Sequence, residues 1–354
     1  ADAQTQKWRH AAEESKATSW VTGQQQGDPH TASGQPRAYR HNLPTQVTPF
    51  VGREDELNEI IARLQEADVR LLTLVGAGGM GKTWLAVEAG KTMLQVRWSM
   101  TTSLAEHQFP DGLFFVALAP LAFGSAIAPA IAAALGVDLP GDKPTQKLLH
   151  VLRDKQLLLI LDNFEHLLTD AAIVTALLQS APRVQIIATS RERLNVRGEH
   201  LYSVQGMDYA LAGTPAEAAT SSAVRLFVQC ARQIQPHFIL SEPNLAAIRR
   251  ICHVVQGMPL ALELAAMWTE LLPLAKIVQE IETNLDFLAA DWRDAPARQR
   301  SMRGVFEWSW KMLSDGERQV FRQLSVFRGG FTCEGAQTVA GGALRVFARL
   351  VHKS

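Results

Sequence analysis

The sequence is short of several features that would assign a function class at once. Its formal net charge is zero, with 35 Lys and Arg against 35 Asp and Glu. Bulk electrostatics therefore give no pull towards nucleic acid or a membrane surface. Cysteine is scarce: Cys230, Cys252 and Cys333 are far apart, odd in number and without metal-ligand spacing. Three reduced, buried thiols of a cytosolic protein are the expectation. No secretory signal opens the chain, which begins at Ala1 without an initiator Met, as expected of a processed or excised piece. Long uncharged runs are also missing but for one, Gly112 to Val137, which has the length of a bilayer span. It divides badly for that purpose. GLFFVALA is a compact β-run, Pro120 and Gly124 break it, and Ser125 to Leu135 is Ala-rich with Pro129 inside. A buried strand, a loop and a packed helix fit better, so no membrane span is expected.

What is present is a phosphate-binding turn. LLTLVGAGGMGKTWLA, Leu71 to Ala86, is an apolar strand, a glycine-rich loop and a helix opening on Lys-Thr. Gly76, Gly81, Lys82 and Thr83 satisfy G-x-x-x-x-G-K-[ST] without a mismatch. A polyphosphate needs several backbone N–H groups aimed inward, and Gly76, Gly78, Gly79 and Gly81 let the chain curl that tightly around Ala77 and Met80. The following helix, beginning Lys82-Thr83-Trp84, points its positive end at the same anion. Lys82 is placed to reach the β- and γ-phosphates, and the Thr83 hydroxyl to coordinate Mg²⁺. The nucleotide-binding set is therefore Gly76, Ala77, Gly78, Gly79, Met80, Gly81, Lys82, Thr83 and Trp84.

At 354 residues the chain exceeds what one core normally serves, so two or three domains are expected. Residues 1 to 46 have the Gln-, Ser-, Thr- and Gly-rich composition of a linker, with a short helix over Gln6 to Glu14, and the folded part begins near Leu43. Leu57, Ile60, Ile61 and Leu64 mark an amphipathic helix over Glu54 to Ala67. Apolar runs at 70–75, 113–118, 157–161 and 184–188 alternate with helical patterns, which predicts a parallel sheet covered on both faces. After Glu199 the pattern reads as helix only. Ser241-Glu-Pro-Asn starts one helix, Gly257 ends it and Pro259 opens the next. A third unit starts near Pro296, and Ser314-Asp-Gly-Glu has capping-box spacing. From Arg293 to Ser354, eleven Lys and Arg face five Asp and Glu, a local excess of basic charge that suits either DNA or an acidic partner domain.

A phosphate loop needs an acidic residue ending a nearby buried strand, and LLLILDNFEH supplies Asp162 to hold Mg²⁺. Many fast ATPases carry Glu immediately after this Asp, whereas Asn163 stands here. Glu165 is the nearest alternative base, and it reads equally as a solvated charge at a helix start. Slow hydrolysis is the expectation. IIATSRERL puts Thr189, Ser190 and Arg191 at the next strand's end, beside the ligand crevice, where Arg191 can contact a γ-phosphate.

TPFVGREDELNEI, VGAGGMGKT, LLLILDNFEH, ATSRERL and QGMPLALELAA, in this order, resemble a STAND-class ATPase of the NB-ARC type. The resemblance covers residues 47 to 354. It implies a phosphate-loop domain over 47–205, an all-helical domain over 206–292 and a truncated winged-helix domain over 293–354. It also implies that Phe50, Val51, Gly52 and Arg53 line the adenine side. Pro259, with Met258 and Leu260, would close over the base from the helical domain; an apolar segment and a proline make a flat, uncharged slot for a purine. Trp308 and Trp310 read as packing residues. The family's β-phosphate sensor lies farther along the winged helix than the chain reaches, and His352 is not that residue.

The resemblance thus implies a cytoplasmic switch: ADP locks the domains together, exchange for ATP opens them, and the open state self-associates under the control of sensor and effector domains outside this sequence. Two alternatives remain open, a DNA-binding regulator that uses its own winged helix and a turnover ATPase of the AAA type. Asn163 speaks against the second, and no helix of residues 293–354 carries a dense basic face suited to base edges. A GTPase is disfavoured because no Asn-Lys-x-Asp occurs.

Overall fold

A computed structural model describes residues 40–45, 49–95, 109–210, 213–290, 296, 299–327, 330–341 and 344–353. The helix expected over Gln6 to Glu14 and most of the linker composition lie outside these residues.

Five parallel strands form the sheet: β1 (Leu71–Val75), β2 (Gly112–Ala117), β3 (Leu157–Asp162), β4 (Gln185–Ser190) and β5 (Glu199–Ser203), in the order β2-β3-β4-β1-β5. Register pairs Leu71 with both Ile186 and Glu199, and Phe114 with Leu159. Strand periodicity divides the apolar residues between two cores. Leu157, Leu159 and Leu161 face α3 (Ile127–Leu135), α4 (Pro144–Leu152) and α5 (Ala172–Ser180). Leu158 and Ile160 face α1 (Glu54–Gln65) and α2 (Lys82–Gln95), where Ile60, Leu64, Leu85 and Met93 are buried. This double burial is why β1, β3 and β4 read as near-continuous hydrophobic runs. The segment Gly112 to Val137 is divided as expected into β2, a loop and α3. No helix among the described residues is long and apolar enough to cross a membrane.

Two details depart from the sequence reading. β5 lies beyond Glu199, where helix alone was expected; it is an edge strand in which only Tyr202 is buried, so it leaves no apolar run. Contacts with the sheet are also made by Arg40 to Asn42, just before Leu43. His41 bridges to Leu113, and Asn42 both donates to the Phe115 carbonyl and accepts its N–H, so this segment covers the free edge of β2.

The remaining described chain is helical: α6 (Pro215–Thr220), α7 (Ser222–Ile234), α8 (Glu242–Val254), α9 (Pro259–Met267), α10 (Leu274–Thr283), α11 (Met302–Lys311), α12 (Asp315–Leu324), α13 (Cys333–Ala340) and α14 (Leu344–Lys353). One core gathers Phe227, Ile248, Leu262 and Ile277 from α7 to α10 and extends to Met302 and Val305 on α11. A smaller one holds Val320, Ala336, Phe347 and Leu350. Ser314 and Glu317 form the expected capping box at α12. Ser241 precedes α8 but makes no side-chain cap bond. Of the thiols, Cys252 is buried, Cys230 partly buried and Cys333 exposed, so the expectation of three buried cysteines fails at Cys333, on the first turn of α13.

Candidate functional site

The carboxyl ends of β1, β3 and β4 converge on the glycine-rich loop, as the topology of an open parallel sheet requires of a ligand crevice. The loop passes from β1 into α2. Lys82, the first residue of α2, donates from Nζ to the Gly76 and Ala77 carbonyls at 2.7 and 2.8 Å. Its ammonium is thereby held over the cradle. Gly79 takes φ +81°, and a Cβ there would stand 3.2 Å from Leu260 Cβ and 3.3 Å from Met258 Sδ. Any larger residue would be strained in its backbone and pressed against its neighbours. Leu260 N–H also donates to the Gly79 carbonyl at 3.3 Å, and Pro259 packs near Gly81. The start of α9 therefore closes over the loop, bringing together residues separated by about half the sequence.

Asp162 ends β3 almost fully buried. Its Oδ1 accepts from Thr83 Oγ1 at 2.6 Å and Thr189 Oγ1 at 2.7 Å, and Thr189 in turn accepts the Asn163 N–H at 2.9 Å. A carboxylate and a threonine hydroxyl in contact form the hard-oxygen pair that Mg²⁺ takes in phosphate sites, where phosphates and water complete the shell. Among the described residues no cluster of three His, Cys, Asp or Glu could hold a metal independently of such a ligand. Asn163 has φ +68°, a left-handed conformation that Asn tolerates better than Glu.

Glu165 is 6% exposed, so it is not a solvated helix-start charge. It lies 3.4 Å from Arg191 Nε, the guanidinium being equally buried. Arg191 Nη1 donates to Ser309 Oγ on α11, and Ser309 Oγ donates to the Val305 carbonyl at 2.9 Å. A Cβ at Gly78 would fall 2.5 Å from Arg191 Nη2 and 2.8 Å from Val305 Cγ1. One guanidinium thus touches the phosphate loop, the turn after β3 and the C-terminal helices together.

Before α1, Gly52 lies against Ser222 and Arg53 is buried with φ +62°. Arg53 donates to the Gln205 carbonyl at 2.7 Å, while its Nε and Nη1 find no partner among the described residues. Burial pulls its pKa below the usual guanidinium range, and Glu56 opposes that pull. Phe50 packs on the core beneath the loop, Met80 beside it; Val51 is half-buried, and Trp84 is partly exposed on α2.

With this geometry in place, comparison with known proteins is direct. Residues 53–203 match the NB-ARC domain. An uncharacterized protein of Mycobacterium tuberculosis is 32% identical over 325 residues, which cover 89% of this chain and 77% of that protein. The chain belongs to the NB-ARC family. A putative HTH-type transcriptional regulator of Mycobacterium tuberculosis is 34% identical over 279 residues, which are 78% of this chain but 29% of that protein. The crystal structure of a STAND protein with a tetratricopeptide repeat sensor from Pyrococcus horikoshii is 16% identical, with a TM-score of 0.38, covering 87% of this chain and 40% of that one.

The structure thus brings the loop, Asp162, Arg191 and the start of α9 into contact, in a chain whose NB-ARC domain is a nucleotide-binding domain. Two residues at this junction were not legible in the sequence. Ser309 sits in the aromatic stretch FEWSWK, where a small polar residue is the only hint. Val305 shows nothing in sequence beyond core periodicity.

Proposed function

We propose that this NB-ARC chain is an adenine-nucleotide switch, closed with ADP and opened by ATP, and that hydrolysis is slow. The observation that carries the reading is the buried Arg191, shared between Ser309, Glu165 and the loop residue Gly78. With ADP the guanidinium keeps its bond to Ser309 and holds α11 against the site. A γ-phosphate is a stronger, charged acceptor for the same group. Its arrival takes Arg191 from Ser309 and releases the C-terminal helices. Moving the equilibrium from 1:99 to 99:1 requires about 5.5 kcal/mol of differential affinity, so further contacts must contribute.

In this reading Lys82 binds the β- and γ-phosphates, while Thr83 and Asp162 hold Mg²⁺, which neutralises phosphate charge. Residues 50–53 line the adenine, with the unpartnered Arg53 N–H groups as donors, and Met258, Pro259 and Leu260 close over the base. Glu165 is the base, and its engagement by Arg191 keeps hydrolysis slow. Residues 47–205, 206–292 and 293–354 act as the moving domains, with α11 to α14 standing for the winged helix, and the open form self-associates. The relative called an HTH-type transcriptional regulator supports placing this switch within a transcription regulator. DNA reading by residues 293–354 themselves is less favoured, since no helix there carries a dense basic face suited to base edges.

Equilibrium binding of ADP and a non-hydrolysable ATP analogue tests the reading. Lys82→Ala should bind neither. Ser309→Ala should shift preference towards ATP and Arg191→Ala away from it, by about tenfold each, or about 1.4 kcal/mol. Shifts in the same direction would contradict the exchange.

A further inference from the structure

A second basic site lies across the junction between the sheet and the C-terminal helices. A cleft of about 620 Å³ is lined by Arg193, two residues beyond Arg191, and by Arg345 and Arg349 on α14. Arg345 and Arg349 are four residues apart, so they project from one face of the helix. The three guanidiniums are exposed and make no hydrogen bond or ion pair among the described residues. Thr169, Asn195 and Ser314 add polar groups to the wall. Glu192 and Glu317 lie in the wall too, but both are engaged: the buried Glu317 carboxylate accepts the Ser314 N–H at 2.8 Å. Three guanidiniums against the Glu192 and Glu317 carboxylates leave the concavity with a net formal charge of +1, which favours an anion. The volume falls within the range of small-molecule sites. Planar guanidiniums match phosphoryl oxygens in bidentate geometry.

We propose that this cleft binds a compact phosphoryl anion, a terminal phosphate or diphosphate, free or on a small molecule. The site is separate from the phosphate loop and does not depend on the switch reading. Its position has a consequence that does rest on that reading. An anion between Arg193 and α14 ties together the same two parts of the chain that the Arg191–Ser309 bond joins. Occupancy should therefore hold the closed form and slow ADP release.

The test is isothermal titration of inorganic pyrophosphate into the full chain with its phosphate loop saturated by Mg-ADP, repeated with AMP in place of pyrophosphate. One further site is expected, weakened at least tenfold in the double variant Arg345→Ser/Arg349→Ser, with ADP affinity unchanged as the measure of an intact fold. Tighter binding of AMP than of pyrophosphate would support the site with a phosphate ester as its occupant, and the reverse would support the free anion. No heat beyond ADP binding, or equal affinity in the double variant, would overturn the proposal. So would a salt-sensitive shift of duplex DNA that the substitutions abolish, without pyrophosphate binding. If pyrophosphate binds at the arginines yet ADP release is unchanged, the site is supported and the latch reading is contradicted.

Discussion

Replacing Ser309 by Ala removes the acceptor that α11 offers to Arg191 while disturbing little else. Ala is the better helix former, and the bond lost within α11, Ser309 Oγ to the Val305 carbonyl, is local. The bond between Ser309 and Arg191 is charge-assisted and part-buried. Such bonds contribute about 1.5–3 kcal/mol net. Glu165 remains beside the freed guanidinium and takes up part of that loss. The lower end of the range is therefore expected, about 1.5 kcal/mol, which is roughly tenfold in an equilibrium. If the closed form retains ADP, release of a fluorescent ADP analogue from Ser309→Ala should be about tenfold faster, with the far-ultraviolet circular dichroism unchanged. Release at the wild-type rate from a folded variant would refute the claim that this contact holds the closed form.

Two further outcomes follow from other parts of the chain. Gly257 has φ +64°, and a Cβ there would lie 2.1 Å from the Met207 carbonyl oxygen, across the turn where Met207 N–H donates to Gly257 O. Gly257→Ala should lower the unfolding free energy by roughly 2–5 kcal/mol, from left-handed strain and overpacking; an unchanged denaturant midpoint would contradict this. Burial pushes the Glu263 carboxyl up to about 7, from 4.5. The folded state therefore binds a proton that the unfolded chain has lost, so stability should fall as pH rises from about 4.5 to about 7. Glu263→Gln should flatten that slope in chemical denaturation; an unaltered slope would assign it to other groups.

The site was legible in sequence wherever its chemistry is local. Gly76 to Thr83 lies on one turn, and its residue types are dictated by a polyphosphate whatever surrounds it. Asp162 was legible because β3 is buried on both faces and ends abruptly in charge. β5 was not, since its single buried residue, Tyr202, leaves no periodic signal. Ser309 was not, because its meaning comes from a contact with Arg191, 118 residues away. The burial of Glu165 was hidden for the same reason: the sequence shows a carboxylate after a strand, and only packing shows the guanidinium beside it. Asn163 was read as the absence of a base at that position, and only the structure shows that its backbone is left-handed, with φ +68°.

The central claim is that nucleotide identity decides whether the C-terminal helices stay against the phosphate-loop sheet. Cys333 on α13 is exposed, whereas Cys230 and Cys252 are less accessible, and Gln179 lies exposed on α5. Spin labels at Cys333 and at Gln179→Cys, read by pulsed dipolar spectroscopy, would report the separation between these parts directly. A single shorter distance with Mg-ADP and a longer or broader one with a non-hydrolysable ATP analogue is the predicted result. The same distance distribution with both nucleotides, each bound at saturation, would contradict the account.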